Sequence, residues 1–157
     1  MSRRKGRILA FQALYSYDVG KVPLEELLKF EWDAVTSQAE TESQDDVSLA
    51  EQALASEPSD SEAYMFARLI ISGTVNHLEE IDTLIKSHLS ESWDFDRVNR
   101  VTLAILRISV FALLYQKDLP VGVTIDEAVS LARDFGEDKS YKFVNAVLDT
   151  ISKEINS

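Results

Sequence analysis

The stretch VTLAILRISVFALLY, residues 101–115, constrains the fold more than any other part of the chain. Its apolar side chains are spread nearly all round a helix, which suits a helix buried on every side. A central helix over Asp96 to Gln116 is expected, with the rest of the chain packed around it. The 157 residues hold only five glycines and three prolines. Both residue types break helices, so their scarcity points to an all-α protein. The length suits one domain, residues 1–157, with a core of its own.

The neighbouring segments read as the packing partners. Between residues 4 and 19, Ile8, Phe11, Tyr15 and Val19 recur at helical spacing, with Leu14 beside them. A short helix is expected to start with Pro23 as its first helical residue and to run through LEELLKFEW. Across 61–89, Tyr64, Ala67, Ile71, Val75, Leu78, Ile81, Leu84 and Ile85 share one broad face, and Gly73 either bends that helix or divides it. In T-I-D-E, Thr124 stands three residues before Glu127, the spacing of a capping box. A helix is therefore expected from Thr124 to Phe135, with Gly136 as its C′ residue. A last helix starts near Ser140 and uses Phe143, Val147, Leu148 and Ile151. Beyond the brief VGVTI there is no alternating strand pattern.

Charge is unevenly placed. The formal net charge is -11, yet ten acidic residues and no Lys or Arg lie between Phe30 and Ala67. The low-complexity part of that window, about residues 36–61, cannot bury enough apolar area to offset its ordering entropy. It reads as a solvated acidic insertion, with at most a marginal helical turn near 49–55. Its role is either that of a variable surface loop or that of an arm competing for a basic cluster. That cluster is SRRKGR, residues 2–7, where Arg3, Arg4, Lys5 and Arg7 open the first helix. Cations at a helix N-terminus oppose the macrodipole, at a cost of about 0.3–1 kcal/mol each. A negatively charged ligand would remove the conflict; simple solubility is the plainer explanation.

Several classes of chemistry have no residues to carry them. There is no cysteine, hence no disulfide, thiolate metal site or cysteine nucleophile. No apolar run reaches the ~18 residues of a membrane span, and ILAF is too short for a secretory signal; a soluble, cytoplasmic protein is expected. No Gly-rich phosphate loop or nucleophile elbow is present. His77 and His88 are eleven residues apart, not the spacing of a two-histidine metal site. Glu79–Glu80 and Asp126–Glu127 read as solvated faces and cap residues. No enzyme activity, cofactor or metal is expected.

Three segments taken together, RRKGRILAFQALYSYD, FARLIISGTVNHLEEIDTLI and AILRISVFALLYQKDLPVGVTIDEAVSLARDFGEDKSYKFVNAVLDTI, resemble the NusB family of bacterial transcription antitermination factors. The resemblance implies an all-α fold of six to seven helices in two small packed bundles. It implies a non-enzymatic, RNA-binding role on boxA RNA of ribosomal RNA operons, paired with NusE, a small-subunit ribosomal protein. The pair would join an antitermination complex on RNA polymerase. NusB-like domains also occur fused to RNA cytosine methyltransferases, but a Gly-rich cofactor motif and a cysteine are missing here. A helical interaction module, or a homodimer without RNA binding, is the alternative reading.

The resemblance also maps residues. The family's Arg-rich start falls on Arg3, Arg4, Lys5 and Arg7. Such cations neutralise phosphates with release of counterions, and Arg also stacks on or hydrogen-bonds bases. Gly6 interrupts the run and would let the first turn fray until RNA binds. A second RNA-contacting patch falls on SYKFVN, with Lys142 and Phe143, and Lys139 nearby; an aromatic ring beside cations suits stacked single-stranded bases. Phe143 also has core spacing, and Tyr15 either supports the RNA surface or packs. The NusE-facing surface maps near Arg100 and Thr102. There the family's V-D-R is replaced by Val101-Thr102-Leu103, and Ala146 stands where the family commonly has Gly.

Overall fold

Every residue from Thr102 to Leu113 is buried in the helix Arg100–Tyr115, the central position that its all-round apolarity demands. The structure, a computed structural model, describes residues 2–30, 58–89 and 94–156. In chain order the helices are α1, Ser2–Val19; α2, Leu24–Leu27; α3, Pro58–Asn76; α4, Leu78–Ser87; α5, Arg100–Tyr115; α6, Val121–Phe135; and α7, Ser140–Ile155. A 3-10 turn, Phe95–Arg97, leads into α5. Among the described residues there is no strand, and VGVTI is helical. Helix α1 pairs with α3 and α6 with α7, while α5 lies between the two pairs and also touches α4.

Two buried polar side chains of α5, Ser109 and Arg107, are matched. Ser109 Oγ donates to the Ile105 carbonyl at 2.7 Å. Arg107, with a side chain only 7% exposed, donates from Nε and Nη2 to the two carboxylate oxygens of Asp82 on α4, at 2.9 and 2.8 Å. Asp18 stands 3.8 Å from Arg107 Nη1. The one buried cation of α5 has thus drawn a bidentate partner from α4.

The structure corrects several sequence expectations. Thr124 is not an N-cap: α6 already begins at Val121 behind Pro120, and Thr124 is buried with its N–H bonded to the Pro120 carbonyl at 3.2 Å. Proline suits a helix start because it has no N–H to leave unpaired, and that signal outranked the Thr-x-x-Glu pattern. Pro23 is likewise the N-cap of the four-residue α2 rather than its first helical residue. Gly136 caps α6 with extended φ −90 and not as a left-handed C′ residue; a Cβ there would meet Ser140 Oγ and the Ala132 carbonyl. On α1 the buried stripe is Leu9, Ala10, Phe11, Ala13 and Leu14, whereas Tyr15 and Val19 are exposed. The acidic insertion placed at about 36–61 overlaps the start of α3 at Pro58. Its remainder, including the marginal turn near 49–55, lies outside the described residues, as do Glu31 and Trp32, the expected end of the short second helix, whereas α2 stops at Leu27.

Gly73 does not divide the helix. The break comes at His77, whose φ −118 and ψ 21 leave the helical region. Gly73 sits inside α3 because the Phe111 ring occupies the space where a Cβ would be. Phe111 is only 5% exposed, so the ring has little room to withdraw. Gly73→Ala is expected to lower stability by about 1–3 kcal/mol through overpacking, read by urea unfolding. An unchanged midpoint would show that Phe111 can re-rotamer freely.

Candidate nucleic-acid interface

The first turn of α1 is wedged between α3 and α6. Gly6 is buried, and a Cβ on it would lie 2.7 Å from Phe66 Cδ2 and 3.1 Å from the Ala63 carbonyl oxygen. Its absent side chain therefore serves close packing of α1 on α3, a reason different from the fraying expected of it.

Around Gly6 the four cations divide between two sides. Arg3 is exposed, its guanidinium 5.5 Å from the centre of the Phe66 ring. The Lys5 ammonium lies 5.7 Å from the centre of Tyr64. Both contacts are within cation–π range. Arg4 turns to α6: Nη1 donates to Ser130 Oγ at 3.0 Å, and Nη2 pairs with Asp134. Arg7 is 9% exposed, lies over Phe66 at 5.4 Å, and has Nη1 3.7 Å from Glu127 Oε2. Burial lowers the Arg7 pKa from its usual value, while Glu127 pulls it up and Arg3 pushes it down. An arginine so placed keeps its charge.

Glu127 is consequently no solvated cap residue. Its Oε2 is sealed from solvent and, among the described residues, accepts no hydrogen bond; Arg4 Nη1 is 3.9 Å away. The conflict between basic first turn and helix dipole is thus partly offset from within, by carboxylates of α6. Nothing in the local sequence pairs residues so far apart. The only signal is the helical spacing of Glu127, Ser130 and Asp134.

The remaining candidate residues lie on neighbouring surfaces. Phe11 packs against Phe135 with ring centres 5.1 Å apart, and Tyr15, one helical turn further on, is 39% exposed. Lys139 is exposed and left-handed at φ 67, as the residue before α7. Lys142 is exposed, while Phe143 is half-buried against the core. Lys139 and Phe143 line a groove of about 450 Å³ with Arg97, Asn99, Thr102 and Glu137. Thr102 is 2% exposed, and its hydroxyl has no partner among the described residues. Arg100 is committed to the Phe95 and Asp96 carbonyls at 3.1 and 2.9 Å, with Asp18 at 3.4 Å.

The histidines do not meet. His77 stacks on Tyr115 with ring centres 4.3 Å apart, and His88 Nε2 lies 3.0 Å from Glu154 Oε2. The Tyr115 hydroxyl donates to Glu80, which raises the phenol pKa by stabilising its neutral form. Among the described residues no His, Cys, Asp and Glu side chains group as metal ligands, and no helix is long and apolar enough to cross a membrane.

These features define a helical protein with four cations gathered at the start of one helix, three of them against aromatic rings. The sequence model of the NusB family matches residues 4–153. The transcription antitermination protein NusB of Treponema denticola is 44% identical over 154 residues, covering 98% of each chain. Among solved structures, T. maritima NusB superposes with a TM-score of 0.74 at 33% identity, over 97% of this chain and 91% of that one. NusB in a crystal structure of the antitermination factors NusB and NusE with double-stranded RNA superposes with a TM-score of 0.72 at 29% identity, covering 98% and 97%. The chain belongs to the NusB family of transcription antitermination proteins.

Proposed function

We propose that this protein is an RNA-binding antitermination factor that pairs with NusE on boxA RNA of ribosomal RNA operons, within a complex on RNA polymerase. The observation that carries the reading is the first turn of α1, where Arg3 and Lys5 lie over Phe66 and Tyr64 at the end of a helix. Cations there take phosphates, and neighbouring rings offer stacking surfaces. The RNA-contacting set is Arg3 and Lys5, extended by Tyr15, Lys139, Lys142 and Phe143, while Arg4 and Arg7, held by α6, complete the basic turn. Arg100 and Thr102 mark the NusE-facing side, Thr102 contributing only from the floor of its groove. The relative solved with NusE and RNA supports the same pairing. The role is binding, without catalysis or a cofactor.

The test is fluorescence anisotropy with boxA RNA and a scrambled RNA of equal length, with and without NusE. A preference for boxA and about tenfold tighter binding with NusE are expected, a coupling of ordinary size. Absence of binding to either RNA while NusE is present would leave a helical interaction module or homodimer.

A further inference from the structure

Glu127, Ser130 and Asp134 follow one another at spacings of three and four along α6, so they occupy one face of that helix. That face receives α1. Arg4 donates to Ser130 and Asp134, while Arg4 and Arg7 both approach the sealed Glu127 Oε2, at 3.9 and 3.7 Å. The other two cations of the turn, Arg3 and Lys5, lie over the rings of α3 and reach none of these α6 groups, whereas Arg7 spans both sides, over Phe66 and beside Glu127. We infer that Glu127, Ser130 and Asp134 are positioning residues, which hold Arg4 and Arg7 so that the turn presents Arg3 and Lys5 to RNA already ordered.

The physical reason is the weakness of this turn by itself. The first four N–H groups of a helix have no intrahelical partner. Four like charges repel one another there, and all oppose the macrodipole. Left without anchors, the turn would be ordered for only part of the time, and apparent RNA affinity would fall by that fraction. Anions on α6 supply the anchor from the side opposite the α3 rings. The inference rests on the RNA-binding reading for its purpose, but the anchoring itself can be measured without RNA.

Glu127→Gln keeps size and polarity and removes the charge. Backbone amide exchange at Arg7 to Leu9 is expected to accelerate in the free protein, while exchange in α5 stays as in the parent. With NusE present, boxA RNA affinity should fall roughly fivefold, and the slope of log affinity against log salt should stay that of the parent, because the same phosphates are contacted. A residue serving overall stability alone would leave affinity unchanged in folded protein. Parent-like exchange would overturn the inference, and so would tighter RNA binding, which would make Glu127 a competitor of RNA. The pair Ser130→Ala/Asp134→Asn removes the Arg4 side of the anchor from a more exposed position. It should show the same two changes, and it decides the matter if Glu127→Gln fails to fold. Faster exchange in a protein whose parent binds no RNA would leave the anchor standing and sink the RNA-binding reading.

Discussion

Asp82→Ala is expected to destabilise the folded protein by about 3–5 kcal/mol, the largest effect of any single substitution considered. The substitution removes both acceptors of a bidentate pair and leaves the Arg107 guanidinium in the core with its fork unfilled. An ion pair this buried adds little net stability over an apolar pair, but breaking it strands a charge. Asp18, 3.8 Å from Arg107, recovers part of the loss, which places the expectation nearer the lower bound. Asp82→Leu/Arg107→Met should restore most of the stability, since neither charge is then left alone. Urea unfolding of the parent and both variants checks this. A loss below about 1 kcal/mol in Asp82→Ala would match an exposed pair and would mean that Arg107 reaches water or Asp18 by a small movement.

Arg3→Ala/Lys5→Ala is expected to weaken boxA RNA binding by about tenfold to a hundredfold in the presence of NusE, from two solvent-facing contacts of about 0.7–1.4 kcal/mol each. Both side chains lie on the α3 side of the first turn, over rings, and neither anchors α1 to α6. The fold should therefore survive, with unchanged circular dichroism and unfolding midpoint. The measurement is anisotropy at fixed salt. Parent-like affinity would remove the first turn from the RNA site and leave the groove of Lys139 and Phe143 as the place to look.

How far the sequence could be read depended on whether the deciding contact was local. The central helix was legible because an apolar surface all round has only one stable place to go. The start of α7 at Ser140 and the apolar positions Val147, Leu148 and Ile151 followed from periodicity in the same way. The start of α6 was not legible from Thr124, because two start signals four residues apart competed and proline prevailed. The place of Gly73 was not legible because its reason is the Phe111 ring, thirty-eight positions away along the chain. The candidate site divides likewise. The cationic turn was visible in SRRKGR, but which of its cations α6 holds and which lie over rings alone depends on α3 and α6. Thr102 and Arg100, placed by resemblance alone, prove to be buried and committed to carbonyls, respectively.

RNA binding by a protein of net charge -11 is proposed to run through one local basic turn. Its most direct test is the salt dependence of boxA RNA binding, with NusE present, for the parent and for Arg3→Ala/Lys5→Ala. For single-stranded RNA each phosphate contact contributes about 0.7 to the slope of log affinity against log salt. The variant should therefore show a slope shallower by about 1.4, alongside its weaker binding. Equal slopes and equal affinities would contradict the account and place the RNA elsewhere on the molecule.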